Sequence, residues 1–186
     1  VYNITVTDVK GCSSNDSVIV IVSNPLTYVG IDDTICIGDN ITLNASTING
    51  IGSYSYNWSP GGMTTSSVLV SPTITTTYSV TATDDMGCLS ADDITVVVSN
   101  TIVYAGLDDT ICFGDNINIS AISSGGISPY TYNWSPGGYT NSTLTVSPAT
   151  STTYTITTTD YTGCTATDDI VIFVNNPIAN AGIDDT

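Results

Sequence analysis

Tyr54-Ser55-Tyr56-Asn57-Trp58-Ser59-Pro60-Gly61-Gly62 recurs further along the chain as Tyr130-Thr131-Tyr132-Asn133-Trp134-Ser135-Pro136-Gly137-Gly138. In each stretch aromatic side chains alternate with Ser, Thr or Asn, the period of a strand that turns one face to a core. Ser-Pro-Gly-Gly then stops the strand with residues suited to tight turns. The strand phase points Trp58 and Trp134 inward, so core packing, rather than stacking on a sugar, is the reading for both rings.

Outward from this stretch the spacing holds. Trp58 and Trp134 are 76 residues apart, and so are Tyr2, Tyr78 and Tyr154; Cys12, Cys88 and Cys164; Cys36 and Cys112; and Gly30, Gly106 and Gly182. A fixed period without insertions marks an array of like modules. Residues 1–24 read as the C-terminal part of one copy, 25–100 and 101–176 as two whole copies, and 177–186 as the first strand of another. The remaining signals within a copy are strands too. Ile41, Leu43 and Ala45 alternate with polar residues, as do Tyr78, Val80 and Ala82, and Ile94, Val96 and Val98 close the copy. Turn residues such as Ser71-Pro72 and Asp84-Asp85-Met86-Gly87 separate them at intervals of about ten residues, which predicts a small antiparallel β-sandwich. The connections between copies are short, for example Ser99-Asn100-Thr101-Ile102, and predict modules held end to end as a rod.

Composition agrees with an all-β fold. All 17 acids are Asp, the only base is Lys10, and Glu, Gln, Arg and His are absent, leaving a formal net charge of -16. Most of the missing residues are good helix formers, whereas Thr, Ser, Val, Ile and Tyr are strand formers. So much negative charge repels phosphate backbones and anionic lipid, so nucleic acid is excluded as a partner. The longest apolar runs, such as Val18 to Val22, are too short to span a bilayer, and membrane insertion is not expected. Neighbouring repeats of the same chain, and further copies in a filament, are the partners the period points to.

The five cysteines make sense only against the repeat. Two pairings fit it. One closes each copy on itself, Cys36 with Cys88 and Cys112 with Cys164, leaving Cys12 without a partner inside the chain. The other crosses the junctions, Cys12 with Cys36 and Cys88 with Cys112. The first closes a loop of about 52 residues, worth about 4 kcal/mol in the chain-entropy model, and is the expected pairing for so small a module. Zinc is not indicated, because four ligands are needed and neither a CxxC motif nor a His is present. Structural disulfides indicate a secreted or cell-surface protein.

The run Ala105-Gly106-Leu107-Asp108-Asp109-Thr110-Ile111-Cys112, then Tyr132-Asn133-Trp134-Ser135-Pro136, then Thr152-Thr153-Tyr154 and Gly163-Cys164, resembles the PKD-like, immunoglobulin-like repeats of large secreted Bacteroidota surface proteins, found in gliding-motility and adhesin-type arrays. The resemblance implies a sandwich of about seven strands, a disulfide between the two cysteines of a copy, and a role as stalk or adhesin. The chain departs from PKD domains proper by carrying Trp-Ser-Pro-Gly-Gly where they tend to have Trp-Asp-Phe-Gly-Asp-Gly. The resemblance also implies O-glycosylation of Ser or Thr that follows Asp and precedes an apolar residue or Thr. Ser17, Thr34 and Thr110 fit, and Thr186 does if the repeat continues; a plain strand-edge Thr is the competing reading. Eight Asn-x-Ser/Thr sequons occur, at Asn3, Asn15, Asn40, Asn44, Asn57, Asn118, Asn133 and Asn141, of which Asn44, Asn118 and Asn141 are the candidates carried forward.

Chemistry beyond this is sparse. Without His there is no Ser-His-Asp or Cys-His pair, and candidate carboxylate pairs recur with every copy, so no enzyme is expected and no cofactor is required. Asp32, Asp33, Asp84, Asp85, Asp108, Asp109 and Asp160 supply oxygens of the kind calcium binds. The competing reading is that these short acids cap turns and keep the protein soluble. Two functions follow: a structural extracellular stalk or filament, glycosylated, or an adhesin whose repeats bind surface glycans by avidity. Binding loops should differ between copies, yet the Asn-Trp-Ser-Pro-Gly-Gly turn is kept, and the clearest changes are Met63 to Tyr139 and Asn49 to Gly125.

Overall fold

A computed structural model of the protein describes residues 1–180 and 182; the glycosylation candidate Thr186 lies outside them. The described residues form strands and no helix. The chain opens with a hairpin of β1 (Tyr2–Thr7) and β2 (Ser13–Val18). The first full copy follows as β3 (Leu26–Tyr28), β4 (Asp33–Cys36), β5 (Ile41–Asn44), β6 (Ser46–Ile48), β7 (Tyr54–Ser59), β8 (Ser67–Val70), β9 (Thr76–Asp84) and β10 (Leu89–Ser99). The second repeats the order as β11 (Ile102–Tyr104), β12 (Asp109–Cys112), β13 (Ile117–Ser120), β14 (Ile122–Ser124), β15 (Thr131–Ser135), β16 (Thr143–Val146), β17 (Thr152–Thr159) and β18 (Thr165–Asn175). A single residue, Ala45 or Ala121, separates β5 from β6 and β13 from β14. Taken as one bent strand, each such pair brings the count per copy to the expected seven.

In both copies one sheet has four strands, ordered β4-β10-β9-β7 and β12-β18-β17-β15. The other face is made of short pairs: β3 with β6 and β5 with β8, then β11 with β14 and β13 with β16. One feature departs from the antiparallel expectation. β4 runs parallel to β10 with Cys36 opposite Ser99, and β12 runs parallel to β18 with Cys112 opposite Asn175. The chain crosses from one sheet to the other between β3 and β4, at Gly30, whose φ of 107° suits glycine.

The core follows the sequence periodicity. In the second copy Val103, Ile119, Trp134, Tyr154, Ile156, Ile170 and Ile172 form one buried cluster. Trp58 and Trp134 have no exposed surface, and each indole N–H donates to a backbone carbonyl, of Thr65 at 2.9 Å and Asn141 at 3.1 Å. The turn after each ring is closed by backbone bonds, Trp58 N–H to Met63 O and Trp134 N–H to Tyr139 O, both 2.9 Å. That backbone bond is kept while the side chain changes from Met to Tyr, and both side chains lie against the turn glycines, Gly61 and Gly137. Asn49 and Gly125 are also explained locally: both hold left-handed backbone, φ 64° and 76°, which Asn and Gly adopt most readily. Asn49/Gly125 thus needs no ligand to account for it, and nothing in the structure explains Met63/Tyr139.

Contacts group the chain into two units. One comprises Val1–Ile31, Thr42–Val70 and Thr77–Thr95; the other comprises Asp32–Ile41, Ser71–Thr76 and the chain from Val96 on. No helix among the described residues is long and apolar enough to cross a membrane.

Candidate functional site: the Asp-held turn and the staple

The turn from Asp160 to Cys164 links β17 to β18 and belongs to the second unit. Asp160 lies inside it, only 5% exposed. One carboxylate oxygen, Oδ1, accepts the N–H of Thr162 (2.9 Å), the hydroxyl of Thr162 (2.8 Å) and the N–H of Cys164 (2.9 Å). The other, Oδ2, reaches outside the turn: it accepts the hydroxyls of Ser99 and Thr101, the latter at 3.0 Å, and the N–H of Ile127 at 3.1 Å. Backbone bonds complete the turn, Asp160 N–H to Cys164 O (2.9 Å) and Gly163 N–H to Asp160 O (3.1 Å). A single carboxylate therefore ties its own turn to the 127 loop and to the connector that enters the copy.

The counterpart at Asp84, in the first unit and also 5% exposed, is built the same way with fewer partners. Its Oδ1 accepts the N–H groups of Met86 and Cys88, each at 2.9 Å, and its Oδ2 accepts the hydroxyl of Ser23 and the N–H of Ile51 at 3.0 Å. Thr101 and Thr162 have no equivalent, because Pro25 and Met86 stand in their places. Burying a carboxylate is costly unless it is well bonded, and hydrogen bonds to the charged form favour ionisation. The Ser23 hydroxyl, followed by the Ile51 N–H, outweighs burial and lowers Asp84 from the ordinary 3.8 to about 2. Burial alone would raise Asp160, but Ser99, Ile127, Thr162 and Cys164 together hold it well below the usual carboxylate range. Among the described residues no buried side-chain nitrogen or oxygen lacks a hydrogen-bond partner.

The turn also carries the disulfide, and here the expected pairing fails. Cys36 is bonded to Cys164, with Cα atoms 5.4 Å apart and a sequence separation of 128. Cys88, Cys112 and Cys12 are free thiols. The Cys36–Cys88 and Cys112–Cys164 pairings are therefore corrected, and the junction alternative, Cys12–Cys36 with Cys88–Cys112, is not formed either. Strand register gives the reason. Cys112 lies opposite Asn175, at the far end of the 11-residue β18, whereas Cys164 precedes its first residue. At 3.3 Å per residue this separates them by about 35 Å, against roughly 4.4–6.8 Å between Cα atoms in a disulfide. Cys36, opposite Ser99 at the end of β10, is equally remote from Cys88. The bond that forms joins one 76-residue copy to the next, and the Cys164 half of it is anchored through its N–H to Asp160.

The acids considered for calcium are engaged singly. Asp33 and Asp109 accept the N–H of the following Thr34 and Thr110 at 2.7 Å; Asp85 accepts the Ser53 hydroxyl at 2.6 Å; Asp108 accepts Val171 N–H at 2.8 Å. Asp32 is exposed just before β4. Among the described residues no three acid or cysteine side chains gather into a group that could hold a metal ion. Asp84 and Asp160 do what the competing reading asked of short acids, capping turns, but from buried positions. The glycosylation candidates lie on strands or loops. Ser17, Thr110, Asn44, Asn118 and Asn141 are exposed and Thr34 is half-buried. Asn44 and Asn118 accept hydroxyls of Ser67 (2.8 Å) and Thr145 (2.6 Å) through Oδ1. Sequence reasoning missed Ser23, Ser99 and Thr101, connector hydroxyls whose role depends on a carboxylate about sixty residues away. It also missed Asp92 and Asp168, which accept the N–H of Val29 (2.9 Å) and Ala105 (2.8 Å).

No family model matches this chain, and no curated protein does. Solved structures do resemble it. The N-terminal eight immunoglobulin domains of Down Syndrome Cell Adhesion Molecule match with a TM-score of 0.56 at 13% identity, over 92% of this chain and 27% of that one. Immunoglobulin domains 1–4 of Sidekick-1 match at 0.49 and 12% identity, over 92% of this chain and 57% of theirs. The two immunoglobulin domains of DIP-gamma match at 0.47 and 11% identity, over 80% and 97%. Strand order, buried tryptophans and the first of these likenesses together make the chain an all-β tandem of immunoglobulin-like domains.

Proposed function

We propose that the chain is a length of a structural extracellular array, a stalk or filament on or outside the cell, whose work is to hold successive modules together under load. The observation that carries this reading is the Cys36–Cys164 bond. A disulfide that closed a copy on itself would stabilise that copy; one that spans 128 residues ties successive copies covalently. In the chain-entropy model a loop of that size contributes about 5 kcal/mol. It also changes where tension runs: a pull applied at the two ends passes through the bond and bypasses residues 37–163. Without His the chain has no Ser-His-Asp or Cys-His pair, and the Cys36–Cys164 disulfide fits an oxidising compartment. Of the two clearest differences between copies, Asn49/Gly125 has a backbone explanation, and the Asn-Trp-Ser-Pro-Gly-Gly turn is kept, which weighs against variable binding loops. Glycans on Ser17, Thr34 and Thr110 belong to the same proposal, as a sheath over an acidic surface.

Single-molecule pulling from the two termini tests it. Oxidised chain should lengthen to no more than about 20 nm, because only residues 1–36 and 164–186 can extend, at roughly 3.6 Å each. Chain reduced with a phosphine should reach about 65 nm. Equal extension in the two states would show that the bond does not carry load and would remove the reading.

A further inference from the structure

We infer that the free thiols Cys88 and Cys112 are two halves of the same staple, displaced by one repeat, and that each is completed by a cysteine of a further copy of this repeat. Cys112 takes the turn cysteine of a copy that follows; Cys88 takes the strand-end cysteine of a copy that precedes. The inference goes beyond the proposed role, since it requires only neighbouring copies and not that they bear load.

The bonded pair shows what each free one is shaped for. Cys112 is the counterpart of Cys36 and Cys88 of Cys164, 76 residues away in each case. The backbone at the strand end is the same in both copies. Cys36 closes β4 opposite Ser99, with Ile37 N–H on Ser99 O at 2.9 Å and Asp39 N–H on Cys36 O at 3.0 Å. Cys112 closes β12 opposite Asn175, with Phe113 N–H on Asn175 O at 3.0 Å and Asp115 N–H on Cys112 O at 3.1 Å. The turn side matches too: Cys88 N–H is fixed by Asp84 as Cys164 N–H is by Asp160, both at 2.9 Å. Only the cover differs. Cys164, bonded, is 3% exposed, whereas Cys88 is half-buried and Cys112 exposed. Neither can use the other cysteine of its own copy, for the register reason already given.

The reaction joins two thiols by one S–S bond; the two S–H bonds break, and two electrons and two protons pass to a disulfide oxidant such as oxidised glutathione, which leaves as two thiols. Because the bond spans 128 residues and the period is 76, successive staples overlap by 128 − 76 = 52 residues. Cys112 already lies inside the loop closed by Cys36 and Cys164. Consecutive copies are thus interleaved rather than merely chained.

The test appends residues 111–176 after Thr186, which completes a third copy in period behind the full chain. The counterpart of Cys112 in the added segment is replaced by serine, and the counterpart of Thr165 by serine as a mass label. Both chains are refolded with oxidised and reduced glutathione, alkylated, and digested without reduction. Free thiols should fall from three in the original chain to two in the longer one, although a cysteine has been added. A peptide should join Cys112 to the labelled turn, beside the one joining Cys36 to Cys164. Alkylated Cys112 in a digest that contains the Cys36–Cys164 peptide overturns the inference. So does Cys112 bonded to any other cysteine, and so does loss of the Cys36–Cys164 peptide itself, since the register would then be different.

Discussion

The turns at Asp84 and Asp160 are the same motif with different numbers of partners, and Asp8 shows its local part. At Asp8, Oδ1 accepts the N–H groups of Lys10 (2.8 Å) and Cys12 (2.9 Å), and the backbone closes as Asp8 N–H to Cys12 O at 2.8 Å and Gly11 N–H to Asp8 O at 3.0 Å. Those four bonds are the local part of the Asp160 turn. Five residues are enough to make the turn. Burial, and with it the contacts to Ser99, Thr101 and Ile127, needs the rest of the copy and the connector. Asp84 is as buried as Asp160 but has two fewer hydroxyl partners.

Breaking the carboxylate should show this order most strongly. Asp160→Asn halves the acceptor capacity facing Ser99, Thr101, Ile127, Thr162 and Cys164, and should destabilise the second copy by about 2–4 kcal/mol in urea melts read from Trp134 fluorescence in a Trp58→Phe background. Asp84→Asn should cost less in the corresponding melt read from Trp58 in a Trp134→Phe background. Equal effects would mean that the shared turn, not the extra hydroxyl contacts, carries the stability. A milder change should make the second site imitate the first. Thr101→Pro with Thr162→Met installs the residues found at 25 and 86 and removes two hydroxyl donors, for a loss of about 1–2 kcal/mol. An unchanged midpoint would show those hydroxyls to be dispensable.

Acid should resolve the two buried carboxylates further. The folded-state pKa of each is lowered, so the stabilisation is complete above the unfolded value near 4 and is lost as pH falls through the folded one. For Asp84 the loss should run from about pH 4 to about 2, and for Asp160 it should continue further into acid. Melting temperature measured from pH 6 to pH 2 should fall more gently in Asp84→Asn than in the parent chain; parallel curves would assign the acid sensitivity to other groups.

Much of the fold is legible in the residues because its causes are local. Alternation at Tyr54–Trp58 and Tyr78–Ala82 makes half-buried strands, and Ser-Pro-Gly-Gly and Asp-x-x-Gly make turns; that positions 49 and 125 hold left-handed backbone is seen only in the structure. Each rule acts within a few residues, and the 76-residue period then repeats the result. The site is legible only in part. The Asp-x-x-Gly turn could be read as a cap, but not that its carboxylate is buried or that Ser99 and Thr101, some sixty residues away, complete it.

The amino-acid sequence by itself determined the strands, the turns, the inward face of each tryptophan and the copying of one module. The tertiary structure alone decided which cysteine meets which. That choice depends on β4 and β12 crossing to lie parallel on β10 and β18, a pairing that no local pattern encodes. The crossing places Cys36 and Cys112 at one end of an 11-residue strand whose other end begins beside Cys88 or Cys164. Once that length separates the two cysteines of a copy, each must look to a neighbouring copy for its partner, and the bond between Cys36 and Cys164 is the result.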